Sequence, residues 1–236
     1  MEPSQRIHHL DALRGLAIAM MIAYHFCFDL DYFGVIDADL NHAPFWLAAR
    51  SLIVTLFLAV MGVSLQLAHR NGIHWRAVTR RFALLAGCAA LVTLATWLLF
   101  PRSYVFFGIL HFIALASLLG LPFLNRPWLA MACGTALLAV GILWSHPFFN
   151  SAPWQWIGLM THKPITEDYV PLIPWFGVVL LGMAAGMGLR KAPAKRMLVG
   201  WRGALTWAGR HSLPIYLLHQ PLLMGMLYLV TSGSRA

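Results

Sequence analysis

Apolar runs about 20 residues long recur along the whole chain between polar connectors, and each can cross a ~30 Å hydrocarbon layer as a helix. The pattern predicts seven spans: Leu10 to Phe28, Phe45 to Leu67, Phe82 to Phe100, Val105 to Leu124, Trp128 to Trp144, Pro171 to Leu189 and Leu213 to Val230. An interfacial helical turn at Thr206 to Ser212 is expected before the last span. Barrel strands would alternate apolar and polar residues, and these runs do not. The connectors on either side of the fourth span are very short, so the third, fourth and fifth helices are expected to be antiparallel neighbours. No internal repeat or low-complexity segment interrupts the pattern. The expected fold is all-α, a polytopic transmembrane bundle forming one domain over residues 1–236.

Composition agrees with the pattern. The chain is 60% apolar and 11% charged, with a mean hydropathy of +0.70; a soluble domain would carry roughly a quarter of its residues charged. The net charge of +9 suggests nucleic acid in isolation, but its placement between spans argues for membrane topology, and no nucleic-acid partner is expected. Basic residues are retained on the cytoplasmic side. Arg70, Arg76, Arg80 and Arg81 follow the second span, and Arg190, Lys191, Lys195, Arg196 and Arg202 follow the sixth. Asp29, Asp31, Asp37, Asp39, Glu167 and Asp168 lie on the other side, against Arg102, Lys163 and Arg235. The N-terminus is therefore expected in the cytoplasm and the C-terminus outside. Arg6 before an apolar run resembles a signal peptide, but polar residues interrupt the run and no small-x-small cleavage site follows, so it reads as a retained span. Cys27, Cys88 and Cys133 fall inside spans at spacings that match no metal or redox motif, and read as apolar packing residues. Gly182 and Gly186 form a small-xxx-small pair, the signature of close helix packing.

Candidate chemistry concentrates in the first span. Ionisable groups within a bilayer cost about 2.5–3.5 kcal/mol each at its centre, yet this span holds Asp11, Arg14 and His25, with Asp29 just past its end. Positions eleven apart on a helix differ by only about 20° in direction and lie ~16 Å apart along the axis. Arg14 and His25 thus share a face, and Asp11 and Asp29 fall near the same stripe. Asp11 and Arg14 also fit end-of-helix snorkelling and mutual pairing, and a lone intramembrane His fits a hydrogen bond to a neighbouring helix. The aligned stripe favours a polar path through the bundle.

The segment LDALRGLAIAMMIAYHF, Leu10 to Phe26, resembles the opening of the transmembrane acyltransferases, in which an Arg, ten residues and a His mark the first helix. Further stretches resemble a bacterial member of the heparan-alpha-glucosaminide N-acetyltransferase catalytic-domain family: NHAPFW (Asn41 to Trp46), LFLAVMGVSL (Leu56 to Leu65), FGILHFIALA (Phe107 to Ala116), PLIPWFGVVLLG (Pro171 to Gly182) and GRHSLPIYLLHQP (Gly209 to Pro221). They span nearly the whole chain in the family's order. The resemblance implies transfer of an acetyl or other acyl group from cytosolic acyl-CoA, typically acetyl-CoA, to an extracytoplasmic hydroxyl or amine, typically on a glycan. It implies a multi-pass protein of the bacterial inner membrane, with no metal. Allowing one residue of slippage, His42 stands where the lysosomal relatives carry a catalytic His, while those relatives often carry Asn at the place of His25. The chain is also shorter than the lysosomal enzyme.

Acyl transfer needs an amine or hydroxyl stripped of its proton as it attacks, and neutral imidazole, with an ordinary pKa of about 6.5, suits that task. His42 is the first candidate for this base and His25 its nearest rival or helper. Asp39, three residues before His42, and Asp29, four after His25, are placed to fix an imidazole tautomer. An acyl-imidazole and direct transfer both remain open. His111, His211 and His219 are candidates for the cavity wall, with structural hydrogen bonding an equal alternative for each. Arg50 is a candidate for the developing oxyanion or for headgroup snorkelling. Cations for the donor's phosphates are available from Arg14, Arg70, Arg76, Arg80, Arg81, Arg126 and the 190–202 cluster, although topology and anionic lipid explain the same residues. Trp154, Trp156 and Tyr169 in the 145–170 loop read first as an interfacial belt and second as a sugar platform. Two other classes compete: a small proton-coupled transporter using the same stripe, against which no inverted repeat is found, and a non-catalytic membrane subunit. A homo-oligomer is left open.

Overall fold

The structure, a computed structural model, describes residues 8–40, 42–189 and 202–233, and every regular element among them is helical. Eight α-helices follow one another: α1 (His8–Tyr32), α2 (Pro44–Ala68), α3 (Trp75–Leu99), α4 (Ile109–Leu119), α5 (Pro127–Leu143), α6 (Leu172–Leu189), α7 (Arg202–Arg210) and α8 (Ser212–Gly233). Five of them, α1, α2, α3, α6 and α8, are long and apolar enough to cross a membrane; α4 and α5 are shorter apolar helices. The protein is an all-helical integral membrane protein. Each apolar run of the sequence corresponds to one of these seven helices.

Three boundaries differ from the hydropathy pattern. Helix α3 begins at Trp75 rather than Phe82, so Arg76, Arg80 and Arg81 occupy its opening turns and not a loop. Arginine is a good helix former, and its charge lowers local hydropathy without ending the helix. Helix α4 is shorter than the run that contains it. Gly108 is extended at its N-terminus (φ −92°, ψ −172°), and Pro122 lies in the 3-10 turn Leu121–Phe123 that follows; the residue before a proline is disfavoured in the α region. The turn expected at Thr206 to Ser212 is α7, Arg202–Arg210, a helix of 9 residues. The basic cluster at 190–201 lies outside the described residues.

The chain forms two compact units, Met1–Phe57 with Pro193–Ala236, and Leu58–Ala192. In the first, α7 and α8 both pack on α1. The α1–α7 crossing is close enough that a Cβ on Gly15 would overlap the Leu205 carbonyl, and one on Gly209 the Asp11 carbonyl. Further along α1, Ile18, Met21 and Ile53 form a buried apolar cluster flanked by Tyr24, Phe57, Ile215 and Tyr216. In the second unit α5 packs on α6 through Gly134 and Gly177. Gly182 and Gly186 pack as their spacing implies, against Ala59 and against Val63 and Gln66 of α2. Cys27, Cys88 and Cys133 are half-buried free thiols.

Candidate active site

The polar stripe of α1 is met by α7 and α8. His25 Nδ1 lies 2.6 Å from His219 Nε2. The two ring planes are only 14° apart with centres 4.9 Å apart, the geometry of rings joined edge to edge through their nitrogens. His219 Nδ1 is 2.7 Å from the Tyr216 carbonyl. A carbonyl oxygen only accepts, so this nitrogen carries a proton. In neutral His219 the Nε2 is then a bare lone pair, and His25 Nδ1 must donate to it. Neutral His25 is left with its own lone pair on Nε2. One carbonyl thus sets both tautomers, and the pair presents one basic nitrogen.

One helical turn further along α1, Asp29 is fully buried, and its Oδ1 accepts from Gln220 Nε2 at 2.6 Å. Asp29 Oδ2 and Gln220 Oε1 are buried with no hydrogen-bond partner. Both lone atoms are acceptors, so this position is short of a donor, a costly state for buried polar groups. Gln220 was not singled out in the sequence. The one available signal is an amide beside a histidine within an apolar run.

At the start of α1, Asp11 bridges two arginines. Its Oδ1 is 3.1 Å from Arg14 Nη1 and its Oδ2 is 3.4 Å from Arg210 Nε. Arg14 also donates to the Gly209 carbonyl at 3.4 Å. The Asp11–Arg14 pairing noted in the sequence is present, and α7 adds a second cation to it. All four members of the α1 stripe therefore meet α7 or α8.

The other candidates divide. Arg50 of α2 lies near the Tyr24 hydroxyl, and the Tyr24 ring centre is 5.9 Å from that of His25. His42 lies in the loop before α2 and bonds to Asp39, Nδ1 to Oδ1 at 2.8 Å, rather than to the His25 pair. Its side chain is 83% exposed. Asp39 adopts φ 37°, a left-handed conformation uncommon for a non-glycine residue. His111 belongs to the second unit. Its Nε2 is 3.1 Å from Thr93 Oγ1, which itself donates to the Val105 carbonyl, so His111 supplies the proton. Its Nδ1 accepts from the Gly108 N–H at 3.3 Å. With both nitrogens engaged, this imidazole closes the start of α4. His211 is exposed, and its Nδ1 donates to the Trp207 carbonyl. Arg76, Arg80 and Arg81 are exposed on α3. His69, in the turn before them, is held below the usual imidazole range, chiefly by burial and further by Arg81 and His74, although a backbone bond at Gly72 opposes this.

Two membrane-length apolar helices, α1 and α8, that carry between them a part-buried histidine pair and a buried carboxylate define a membrane-embedded protein with an intramembrane polar site. A family model described as heparan-alpha-glucosaminide N-acetyltransferase, catalytic, matches residues 6–221. The chain belongs to that family, a family of transmembrane acetyltransferases. No curated protein and no solved structure matches it.

Proposed function

We propose that the protein transfers an acetyl group from acetyl-CoA, taken from the cytoplasmic side of a bacterial inner membrane, to a hydroxyl or amine of an extracytoplasmic glycan, with His25 as the general base. The supporting observation is the chain from the Tyr216 carbonyl through His219 to His25, which leaves one oriented lone pair on His25 Nε2. That nitrogen removes the acceptor's proton as the acceptor atom bonds to the thioester carbonyl carbon. The C–S bond then breaks, and the CoA thiolate leaves with the proton returned from the imidazolium. His219 shares the transient positive charge of His25 through the short bond between them. In this reading Arg50, beside Tyr24, receives the oxyanion, and Arg14 answers a phosphate of the donor. The N-terminus is cytoplasmic.

A second reading makes His42 the base. The 2.8 Å contact to Asp39 supports it, because a carboxylate on Nδ1 fixes the tautomer with Nε2 bare. Purified protein given labelled acetyl-CoA separates the two. Release of CoA, slow by hydrolysis and faster with acceptor, is expected, with His25→Ala abolishing it and His42→Ala retaining it. Loss with His42→Ala alone would transfer the role to the dyad. Solute flux without thioester cleavage would favour a transporter.

A further inference from the structure

Asp29 and Gln220 lack one hydrogen between them. Gln220 Nε2 donates to Asp29 Oδ1 at 2.6 Å, while Asp29 Oδ2 and Gln220 Oε1 are both closed off from solvent without a partner. The deficit survives exchange of the two ends of the amide. With oxygen and nitrogen swapped, the amide oxygen would sit 2.6 Å from Asp29 Oδ1, two acceptors in contact. The neighbouring donors are committed elsewhere. His25, one turn earlier on α1, gives its proton to His219, and His219 gives its own to the Tyr216 carbonyl. Among the described residues the ion pairs of the other acids join Asp11 to Arg14 and Arg210, and Asp39 to His42. Asp29 is fully buried within a membrane-length apolar helix. A carboxylate with empty lone pairs is costly in such a place, and the group takes up a proton instead.

We propose that Asp29 holds a proton on Oδ2 and donates it to Gln220 Oε1, closing a ring of two hydrogen bonds between a neutral acid and an amide. One hydrogen satisfies both orphaned oxygens. His219 and Gln220 are consecutive on α8, and His25 and Asp29 lie one turn apart on one face of α1. The ring and the imidazole pair are therefore two rungs between the same two helices. The ring fixes the α1–α8 register at which the nitrogens of His25 and His219 meet, which makes Asp29 a positioning residue for the base. That role rests on His25 being the base; the proton assignment does not.

Infrared spectroscopy of the whole protein, purified in detergent at neutral pH, tests the proton. A carboxylic-acid C=O stretch, which a carboxylate lacks, should be present in wild type and disappear in Asp29→Asn. Combining Asp29→Asn with Gln220→Glu exchanges acid and amide across the ring and should restore the band. Asp29→Ala should lower kcat for CoA release about tenfold or more with KM for acetyl-CoA unchanged. Asp29→Asn should recover most of that loss, since its amide repeats both hydrogen bonds of the ring. Elution and helicity check that each variant folds. Identical spectra of wild type and Asp29→Asn in the carboxylic-acid region would overturn the proton assignment, and an Asp29→Ala enzyme with wild-type kcat would overturn the positioning role. The band is read without substrate, so it decides the assignment even in a protein that cleaves no thioester.

Discussion

His25 and His219, 194 residues apart in the chain, are joined nitrogen to nitrogen at 2.6 Å across the α1–α8 contact. Neither ring can carry out acid–base chemistry independently of the other. Because the Tyr216 carbonyl holds the far proton in place, a proton added to the pair enters at His25 Nε2.

Replacing His219 with Ala should therefore reduce acetyl transfer almost as severely as replacing His25. The loss expected for a positioned acid–base group is about 10²-fold or more. His219→Gln should lie between, since its amide oxygen can accept from His25 Nδ1 but cannot share the charge. Rates of CoA release at saturating acetyl-CoA check this, and an unimpaired His219→Ala enzyme would remove the pair from the mechanism.

The pH dependence has a definite sign. The base works with Nε2 bare, and acid fills that lone pair. With chemistry limiting, activity should rise as increasing pH empties that lone pair and then level off. The same profile measured in His42→Ala should be unchanged if His25 is the base.

Asp29 offers a stability test. Asp29→Asn keeps the oxygen that accepts from Gln220 and replaces the orphaned Oδ2 with a donor, next to an orphaned Gln220 Oε1. The variant should unfold at a temperature equal to or above that of wild type. Asp29→Ala strands the Gln220 amide as well and should cost about 1–3 kcal/mol. Thermal unfolding in detergent gives the order, and Asn below Ala would contradict it.

The α1–α7 crossing leaves no room for a side chain. Gly15→Ala and Gly209→Ala each drive a methyl into a backbone carbonyl, so the helices must separate, at about 1–3 kcal/mol by analogy with overpacked cores. Gly225→Ala, with open space at its Cβ, serves as the control and should be close to neutral.

Sidedness can be measured directly. With Cys27, Cys88 and Cys133 replaced by Ala, a cysteine at Arg80 should react with impermeant maleimide only in inverted vesicles. One at Asp37 should react only in intact cells. The reverse pattern would place the N-terminus outside.

Seven apolar helices, the family and the α1 stripe were all legible in the chain, because a bilayer requires long uninterrupted apolar runs and makes each ionisable group within them conspicuous. Even the α1 face was readable, since helical geometry is local. What faces that stripe was not. Gln220 was passed over, the α7 boundary was displaced, and His219 stood level with His111 and His211. Tertiary structure separated these three imidazoles by their partners: a second histidine for His219, a threonine and a backbone N–H for His111, and the α7 carbonyl of Trp207 for His211. Hydropathy records the cost of burying a group, but which hydrogen bond offsets that cost depends on residues nearly two hundred positions away, brought together by the packing of α7 and α8 on α1.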